Sequence, residues 1–455
     1  MSKLPKGWAE ARIGDLAELN PKQAFDDETV AGFVPMSHAP TNFRDKLRFD
    51  ERPWGEIKKA YTNFKDGDVI FAKVTPCFEN GKAALVAGLP NGIGAGSSEF
   101  FVLRPSCNEM SAKYLLGLVK SYDFLREGAA NMTGAVGLRR VPKQFVESYP
   151  VLVPPAAEQA RITAKLDELL AQADTLQARI DAIPALLKRF RQSVLSAAVS
   201  GRLTEEWRAG QVSPSTSNEP APPGWAQTVF GEICREITVG YVGKMADQYR
   251  DEGVPFLRSQ NVRPMRFSPE NILHISEEFH SSILKSRLEP GDLAIVRSGA
   301  PGVTCVIPKS LPTANCSDLV IARPSEKLNS WFGSIYMNSE VAKRNVADNQ
   351  VGVAQQHFNV GSMKKMPIRL PPLEEQTEIV RRVEQLFAFA DQLEAKVASA
   401  KSRIDYLTQS ILAKAFRGEL VAQDPNDEPA SALLERIQAQ RAAAPKAKRG
   451  RKASA

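Results

Sequence analysis

The clearest pattern in this chain is a long apolar stripe that occurs twice. Ile379, Val383, Leu386, Ala390, Leu393, Val397, Ala400, Ile404, Leu407 and Ile411 step by four and three residues without a break. The same stepping runs through Ile162, Leu166, Leu169, Ala173, Leu176, Ile180, Ile183, Leu187, Phe190 and Val194. Residues so spaced share one face of a helix, and four heptads of them predict two long helices that pair as an antiparallel coiled coil. Beyond the seam, Leu170, Leu186, Phe387 and Phe389 are expected to face outward. A Pro-Pro pair precedes each stripe, at 154–155 and 371–372. Proline suits a helix start, where its missing N–H breaks no bond. Pro184 lies inside the first stripe, where its counterpart in the second is Lys401. An interior proline costs about 3 kcal/mol, so a kink or break is expected there.

Outside the stripes, short apolar runs alternate with Gly and Pro turns. Residues 69–74 and 293–297, each entered from a Gly-Asp turn, are predicted to be equivalent strands. Residues 100–103 and 319–322 are further strands, each ending before an Arg-Pro. Short helices are expected around 111–127 and 328–345, which makes each stretch a compact α+β domain. Gly92-Ile93-Gly94-Ala95-Gly96 reads as a turn or loop rather than a nucleotide-binding loop, since no clear helix follows it.

These parts are related by duplication. Pro5-Lys6-Gly7-Trp8 returns as Pro222-Pro223-Gly224-Trp225, and Pro154-Pro155-Ala156-Ala157-Glu158-Gln159 as Pro371-Pro372-Leu373-Glu374-Glu375-Gln376. Both pairs are offset by 217 residues, as are Gln192-Ser193 with Gln409-Ser410 and Gly201-Arg202-Leu203 with Gly418-Glu419-Leu420. The Gly67-Asp68 and Gly291-Asp292 pair is offset by 224, so a few residues are inserted and later compensated. Two units of this length form a tandem duplication and not a solenoid. The expected organisation is an α+β domain at 1–150, a helical region at 151–208, a flexible linker at 209–223, a second α+β domain at 224–366, a second helical region at 367–424, and a C-terminal helix with a basic disordered tail at 425–455. Trp8 and Trp225 are expected to be core anchors.

Composition changes little in this picture. The chain has 455 residues and a net charge of +7. Lys446, Lys448, Arg449, Arg451 and Lys452 supply five of those charges, leaving +2 for the rest. Charge alone therefore does not establish nucleic-acid binding. The five cysteines are scattered with no Cys-x-x-Cys, which suits a reducing cytoplasm. No apolar run reaches the roughly 20 residues of a bilayer span, and the first residues carry no apolar leader. The Pro-Pro pairs are not followed by an aromatic residue as an adenine methyltransferase loop requires, no Walker A pattern occurs, and His38, His274, His280 and His357 are dispersed. A catalytic role is therefore not expected.

Two α+β domains alternating with two long helices, each opened by Pro-Pro-x-x-Glu-Gln-x-x-Ile, resemble the specificity subunit of a type I restriction-modification enzyme. The segment from Leu407 to Leu420 is similar to the C-terminal helix of its enterobacterial type IA branch. The resemblance covers nearly the whole chain. It implies two target recognition domains that each read one half of a split double-stranded DNA target, with paired helices as a ruler between them. It also implies docking of two modification (methyltransferase) and two restriction subunits. S-adenosylmethionine, ATP and Mg would belong to those partners and none to this chain. A duplicated coiled-coil scaffold whose α+β domains bind protein is the alternative, although diverged domains with basic, glycine-rich loops argue against it.

Base edges are read by Arg, Lys, Asn and Gln, whose donors and acceptors match guanine and adenine. In the first domain the candidates are Lys73, Thr75, Asn80 and Lys82 on one loop, and Arg139, Arg140 and Lys143 on another. In the second they are Arg258, Asn261 and Arg263, then Arg297 and Ser298, then Gln355, Gln356 and His357. The 217 offset sets Arg139 over Gln356 and Arg140 over His357, so one loop carries different chemistry in the two halves.

Overall fold

A computed structural model describes residues 4–135, 137–210, 222–348 and 358–443. The chain forms two compact units, one of residues up to Asp181 together with those from Ser399, the other of Ala182–Ala398. Each unit thus combines one α+β domain with one half of each long helix. Those helices, Ala156–Val199 and Leu373–Phe416, begin directly after the two Pro-Pro pairs.

Of the kink or break expected at Pro184, the break does not occur, and helical geometry continues on both sides of it. It sits on an exposed face, so the carbonyl four residues back that loses its N–H partner is open to water.

Within each unit the helix halves run antiparallel. In the first, Lys401 Nζ donates to Asp181 at 2.9 Å, while Ile162, Leu166 and Leu170 share a core with Ile411, Leu412 and Ala415. In the second, Arg191 reaches Asp391 (2.6 Å) and Glu394 (2.9 Å), and Val194, Leu195 and Ala198 share a core with Ile379, Val380 and Val383. Burial is deepest where a helix half lies on its domain. The seam residues Leu176 and Leu407 stay nearly half exposed, because a two-helix pair has no third wall. Leu170 and Phe387 are therefore corrected. Leu170, 2% exposed, belongs to the first unit's core, and Phe387 packs against the second's. Leu186 and Phe389 do remain exposed.

The two α+β domains repeat one topology. In the first, a four-stranded antiparallel sheet has the order Ala17–Leu19, Phe100–Pro105, Val69–Ala72, Ala83–Leu85. A second sheet pairs Val30–Val34 in parallel with Ile93–Gly96. The glycine run expected to be a loop is thus a buried strand. A Cβ on Gly94 would lie 2.5 Å from the Gly32 carbonyl oxygen, so glycine is what permits this close pairing. In the second domain Cys234–Val239, Leu319–Pro324, Leu293–Val296 and Thr304–Val306 form the matching sheet, and Val254–Leu257 pairs in parallel with Ala314–Cys316. The Gly-Asp turns and the Arg-Pro strand ends meet. Arg104 grips the buried Asp68 with two bonds (2.8 and 2.7 Å), and Arg323 lies 3.5 Å from Asp292. Each aspartate also accepts from a backbone N–H three residues earlier, at Lys65 and Glu289.

The repeated motifs explain themselves at the helix starts. Trp8 Nε1 donates to Glu158 Oε2 at 3.0 Å, and Trp225 Nε1 to Glu375 Oε2 at 2.9 Å. Both tryptophans are buried, as expected of core anchors. The neighbouring glutamines, Gln159 and Gln376, accept from the backbone N–H of Ser111 and Asn329, and donate to the carbonyls of Pro154 and Pro371. Each glutamine thereby clamps its long helix to the start of a short one, Ala112–Val119 or Ser330–Met337. The C-terminal helix Ala430–Ala443 adds Leu433 and Ile437 to the first unit's core, and Ala430 N–H donates to Gly7. No helix among the described residues is long and apolar enough to cross a membrane.

The two locks differ in the partners of the carboxylate. Glu375 Oε1 also accepts from Thr204 (2.7 Å) and Arg208 (2.9 Å). Glu158 is 1% exposed and its Oε1 has no partner among the described residues. Burial lifts the Glu158 carboxyl above its ordinary value, against the opposing Trp8 bond and the charge of Arg161. A raised folded-state value means that the stability this group contributes is present below about pH 4.5 and is lost as pH rises through the raised value. Glu158→Gln keeps an acceptor for Trp8 and removes the charge. It is expected to raise the melting temperature at pH 7, with a gain that vanishes below pH 4.5. Glu375→Gln removes the charge paired with the largely buried Arg208 and should cost about 3 kcal/mol at pH 7. Calorimetry of both variants across pH checks the contrast, and equal behaviour would contradict it.

Candidate nucleic-acid interface

In the first domain the candidate residues gather where strands end. The Lys73 N–H donates to Glu99 O (2.9 Å), and Lys73 O accepts from Val141 N–H (2.8 Å). Thr75 N–H donates to Arg139 O at 3.0 Å, which fastens a short hairpin, Thr133–Ala135 with Leu138–Arg140, to the loop. The hairpin is otherwise exposed. Arg140 donates twice to the Glu99 carboxylate, at 2.9 and 2.7 Å. That bond, with help from Lys73, holds Glu99 below the usual carboxylate range against partial burial. Arg139 lies 3.7 Å from Glu79, which also accepts from Thr75 Oγ1. Lys73 Nζ stands 5.4 Å from the centre of the Phe101 ring.

Lys73, Thr75, Arg139 and Arg140 are thus brought together. Asn80 is exposed on the same loop. Lys82 turns away and donates to Met36 O at 2.9 Å, and Lys143 is exposed and paired with Glu147. A buried lysine that the sequence reading missed, Lys120, supports the loop. Its ammonium donates to the carbonyls of Thr41 (2.7 Å) and Gly81 (2.9 Å), and burial pushes it down to about 7.

The second domain builds the same place from other side chains. Arg297 N–H donates to Asp318 O (3.4 Å), and Arg297 O accepts from Phe358 N–H (3.2 Å), as around Lys73. Ser298 Oγ donates to both Asp318 carboxylate oxygens, at 2.9 and 2.7 Å, and Ser259, next to Arg258, reaches the same carboxylate at 3.5 Å. Arg263 is exposed on a two-residue strand paired with Arg266–Phe267. Asn261 requires correction. It is 0% exposed, its Oδ1 accepts from Arg258 N–H (3.0 Å), and its Nδ2 donates to the carbonyls of Ser268 (3.2 Å) and Glu270 (3.0 Å). Its amide is spent inside the protein, so it shapes the loop and offers nothing to a ligand. Gln355, Gln356 and His357 lie outside the described residues.

The acids Glu79, Glu99 and Asp318 escaped the sequence reading, which looked for cations. Their signal was an acid directly before an apolar strand in both repeats, at Glu99-Phe100 and Asp318-Leu319. Among the described residues no group of three His, Cys, Asp or Glu side chains is placed to hold a metal.

A family model described as the type I restriction modification DNA specificity domain matches residues 5–185 and 244–400. The chain belongs to the type I restriction-modification specificity subunits. It is 32% identical to the EcoKI specificity subunit of Escherichia coli over 99% of both chains, and 27% identical to the EcoEI subunit over 90% of this chain and 82% of that one. Among solved structures, a chain from work on complex assembly and conformational transition of the type I R-M system superposes with a TM-score of 0.66 at 23% identity, over 92% of this chain and all of that one. The HsdS subunit from Thermoanaerobacter tengcongensis superposes at 0.59 with 24% identity, over 92% of this chain and 98% of that one. The fold of this specificity subunit is therefore the family's own.

Two variants separate a scaffold role from a reading role at this site. Asn261→Ala takes the partner from three backbone groups, the Ser268 carbonyl among them buried, and is expected to destabilise the subunit by about 1–3 kcal/mol, without altering which bases are preferred by correctly folded protein. Arg139→Ala is expected to weaken discrimination at one half-site by about 1–3 kcal/mol, with little loss of stability because its contact with Glu79 is long and partly exposed. Thermal melts and binding to a panel of single-base target variants read both effects.

Proposed function

We propose that the subunit gives a type I restriction-modification complex its DNA sequence specificity, with residues 1–150 and 224–366 as target recognition domains for the two halves of a split target. The observation that carries this reading is the pair of matched strand-end sites. The backbone bonds around Lys73 and Arg297 are alike, while the side chains differ: an Arg–Glu pair in one domain, serines on an aspartate beside two arginines in the other. One framework bearing two sets of polar groups suits two half-sites of different sequence. A scaffold that binds protein through these domains has no use for such divergence at the same spot.

The subunit performs no chemistry itself. It binds double-stranded DNA and two modification subunits, and with two restriction subunits it forms the cleaving assembly. S-adenosylmethionine, ATP and Mg act on those partners, in the cytoplasm. The long helices set the separation of the half-sites and dock the modification subunits. Exposed Leu186 and Phe389 offer apolar surface for that docking. So does a cleft of about 800 Å³ in the first unit, lined by Tyr122, Tyr149, Tyr406 and Phe416.

Methylation mapping in a host carrying the complete system tests the reading. A bipartite methylated adenine motif is expected, and exchanging residues 224–366 for those of a relative should change one half of it only. Adding one matched heptad to each helix lengthens it by about 10 Å and keeps the seam in phase. The unspecified spacer should then grow by about 3 base pairs, at 3.4 Å each, with both half-sites unchanged. An altered half-site with a fixed spacer would leave the helices as a docking platform alone. No change of motif on domain exchange would remove the recognition role.

A further inference from the structure

Two arginines in the second unit each have an Nε without a partner among the described residues. Arg258 follows the strand Val254–Leu257, and Arg297 follows Leu293–Val296. The strands belong to different sheets, yet their ends converge on Asp318, which precedes Leu319–Pro324. Ser259 and Ser298, the residues after the two arginines, both donate to the Asp318 carboxylate. Ser317 N–H donates to Leu257 O at 3.0 Å, tying the same turn to the first of these strands. The acid at this junction is thus occupied by hydroxyls. Nε of Arg258 and Nε of Arg297 are both buried with no acceptor among the described residues.

Buried donors left unmet are rare, and each one calls for an explanation such as an absent ligand. The first domain shows what a satisfied version looks like. There Glu99 takes Arg140 in a two-bond pair, and Arg139 lies beside Glu79. The second domain keeps the acid, gives it to serines, and leaves the Nε of two arginines without an acceptor among the described residues. The serine–aspartate clamp fixes the backbone beside each arginine. Such fixing matters little for a phosphate contact, which tolerates sliding of a long side chain. It matters for reading a base edge, where the donor fork has to match two acceptors in one plane.

We propose that Arg258 and Arg297 read guanine in the half-site bound by the second domain, through O6 and N7 in the major groove. Arginine donates bidentately to those two atoms, and adenine offers a donor where guanine offers O6. This rests on the reading that residues 224–366 bind DNA.

The experiment uses the complete subunit with its modification partners and duplexes carrying the target mapped by methylation. Each guanine of the second half-site is replaced in turn by 7-deazaguanine, which lacks the N7 acceptor and still pairs with cytosine. Wild-type complex is expected to lose roughly 10- to 100-fold in affinity at one or two positions. Arg258→Ala or Arg297→Ala should abolish the sensitivity at one such position while leaving 7-deazaguanine effects in the first half-site intact. The wild-type arm needs no variant, so a misfolded variant does not rescue the idea. A second half-site without guanine, or one insensitive to 7-deazaguanine, overturns it. So do variants that weaken target and random duplexes equally, the mark of phosphate contacts. Failure of the underlying reading looks different: exchange of residues 224–366 would then leave the methylated motif unchanged.

Discussion

The structure depends on a buried indole–carboxylate bond made twice. Trp8 and Trp225 each sit near the start of a repeat, and Glu158 and Glu375 each lie 150 residues further on, in the first turn of a long helix. Each bond closes an α+β domain on itself, because everything between tryptophan and glutamate is that domain. It also fixes the direction in which the helix departs. The adjacent glutamine completes the joint by holding a second helix start through its backbone. With both ends of the domain held at one point, the strand ends carrying the candidate DNA contacts have a set position relative to the helix. A buried carboxylate is costly unless bonded. Its retention at two equivalent places is understandable only if the geometry of departure matters more than the stability lost.

The second constraint is the Asp–Arg pair across each four-stranded sheet, Asp68 with Arg104 and Asp292 with Arg323. Both aspartates are buried at the entry to a central strand, the one whose far end delivers Lys73 or Arg297. Burial raises the Asp292 carboxyl, the backbone N–H of Glu289 and the Arg323 charge oppose that rise, and the net shift remains upward. A strand pinned at its entry and hydrogen-bonded on both sides presents its exit in a reproducible place. Side chains at that exit can change without disturbing what holds the strand. The two domains therefore differ where a ligand would touch them and agree where they are held.

Much of this was legible in the residues. The heptad stripes, the Pro-Pro starts and the 217-residue offset locate the helices and the duplication, since periodicity and repeat are written in side-chain type. The depth of burial was not legible. Leu170 and Leu166 are both buried although only Leu166 lies on the stripe, because the core around Leu170 includes the α+β domain as well as the partner helix. The glycine run at 92–96 departs from the turn its residues suggest for a related reason. Absence of side chains signals a turn locally, while here it serves close approach of the strand Val30–Val34, a long-range partner that no local pattern reveals.

At the candidate interface the same limit takes an electrostatic form. Counting cations found Lys73, Arg140, Arg258 and Arg297, but a cation's availability depends on which acid the fold brings to it. Arg140 is engaged by Glu99, 41 residues away in sequence, whereas Arg297 lies beside an aspartate already occupied by Ser298 and Ser259. Asn261 looked as accessible as Arg263, two residues on, yet its amide is consumed by three backbone groups. Polar residues in loops divide into those that build the loop and those it presents, and sequence spacing does not separate the two classes. Aligned duplicates help, because a residue that holds the framework recurs in kind, as Trp, Glu, Gln and the Asp–Arg pair do. A residue placed to meet a ligand is free to differ, and Lys73 and Arg297 do differ on a matched backbone. In a duplicated reader, agreement between the halves marks structure, and disagreement set on an agreed backbone marks the surface that confers specificity.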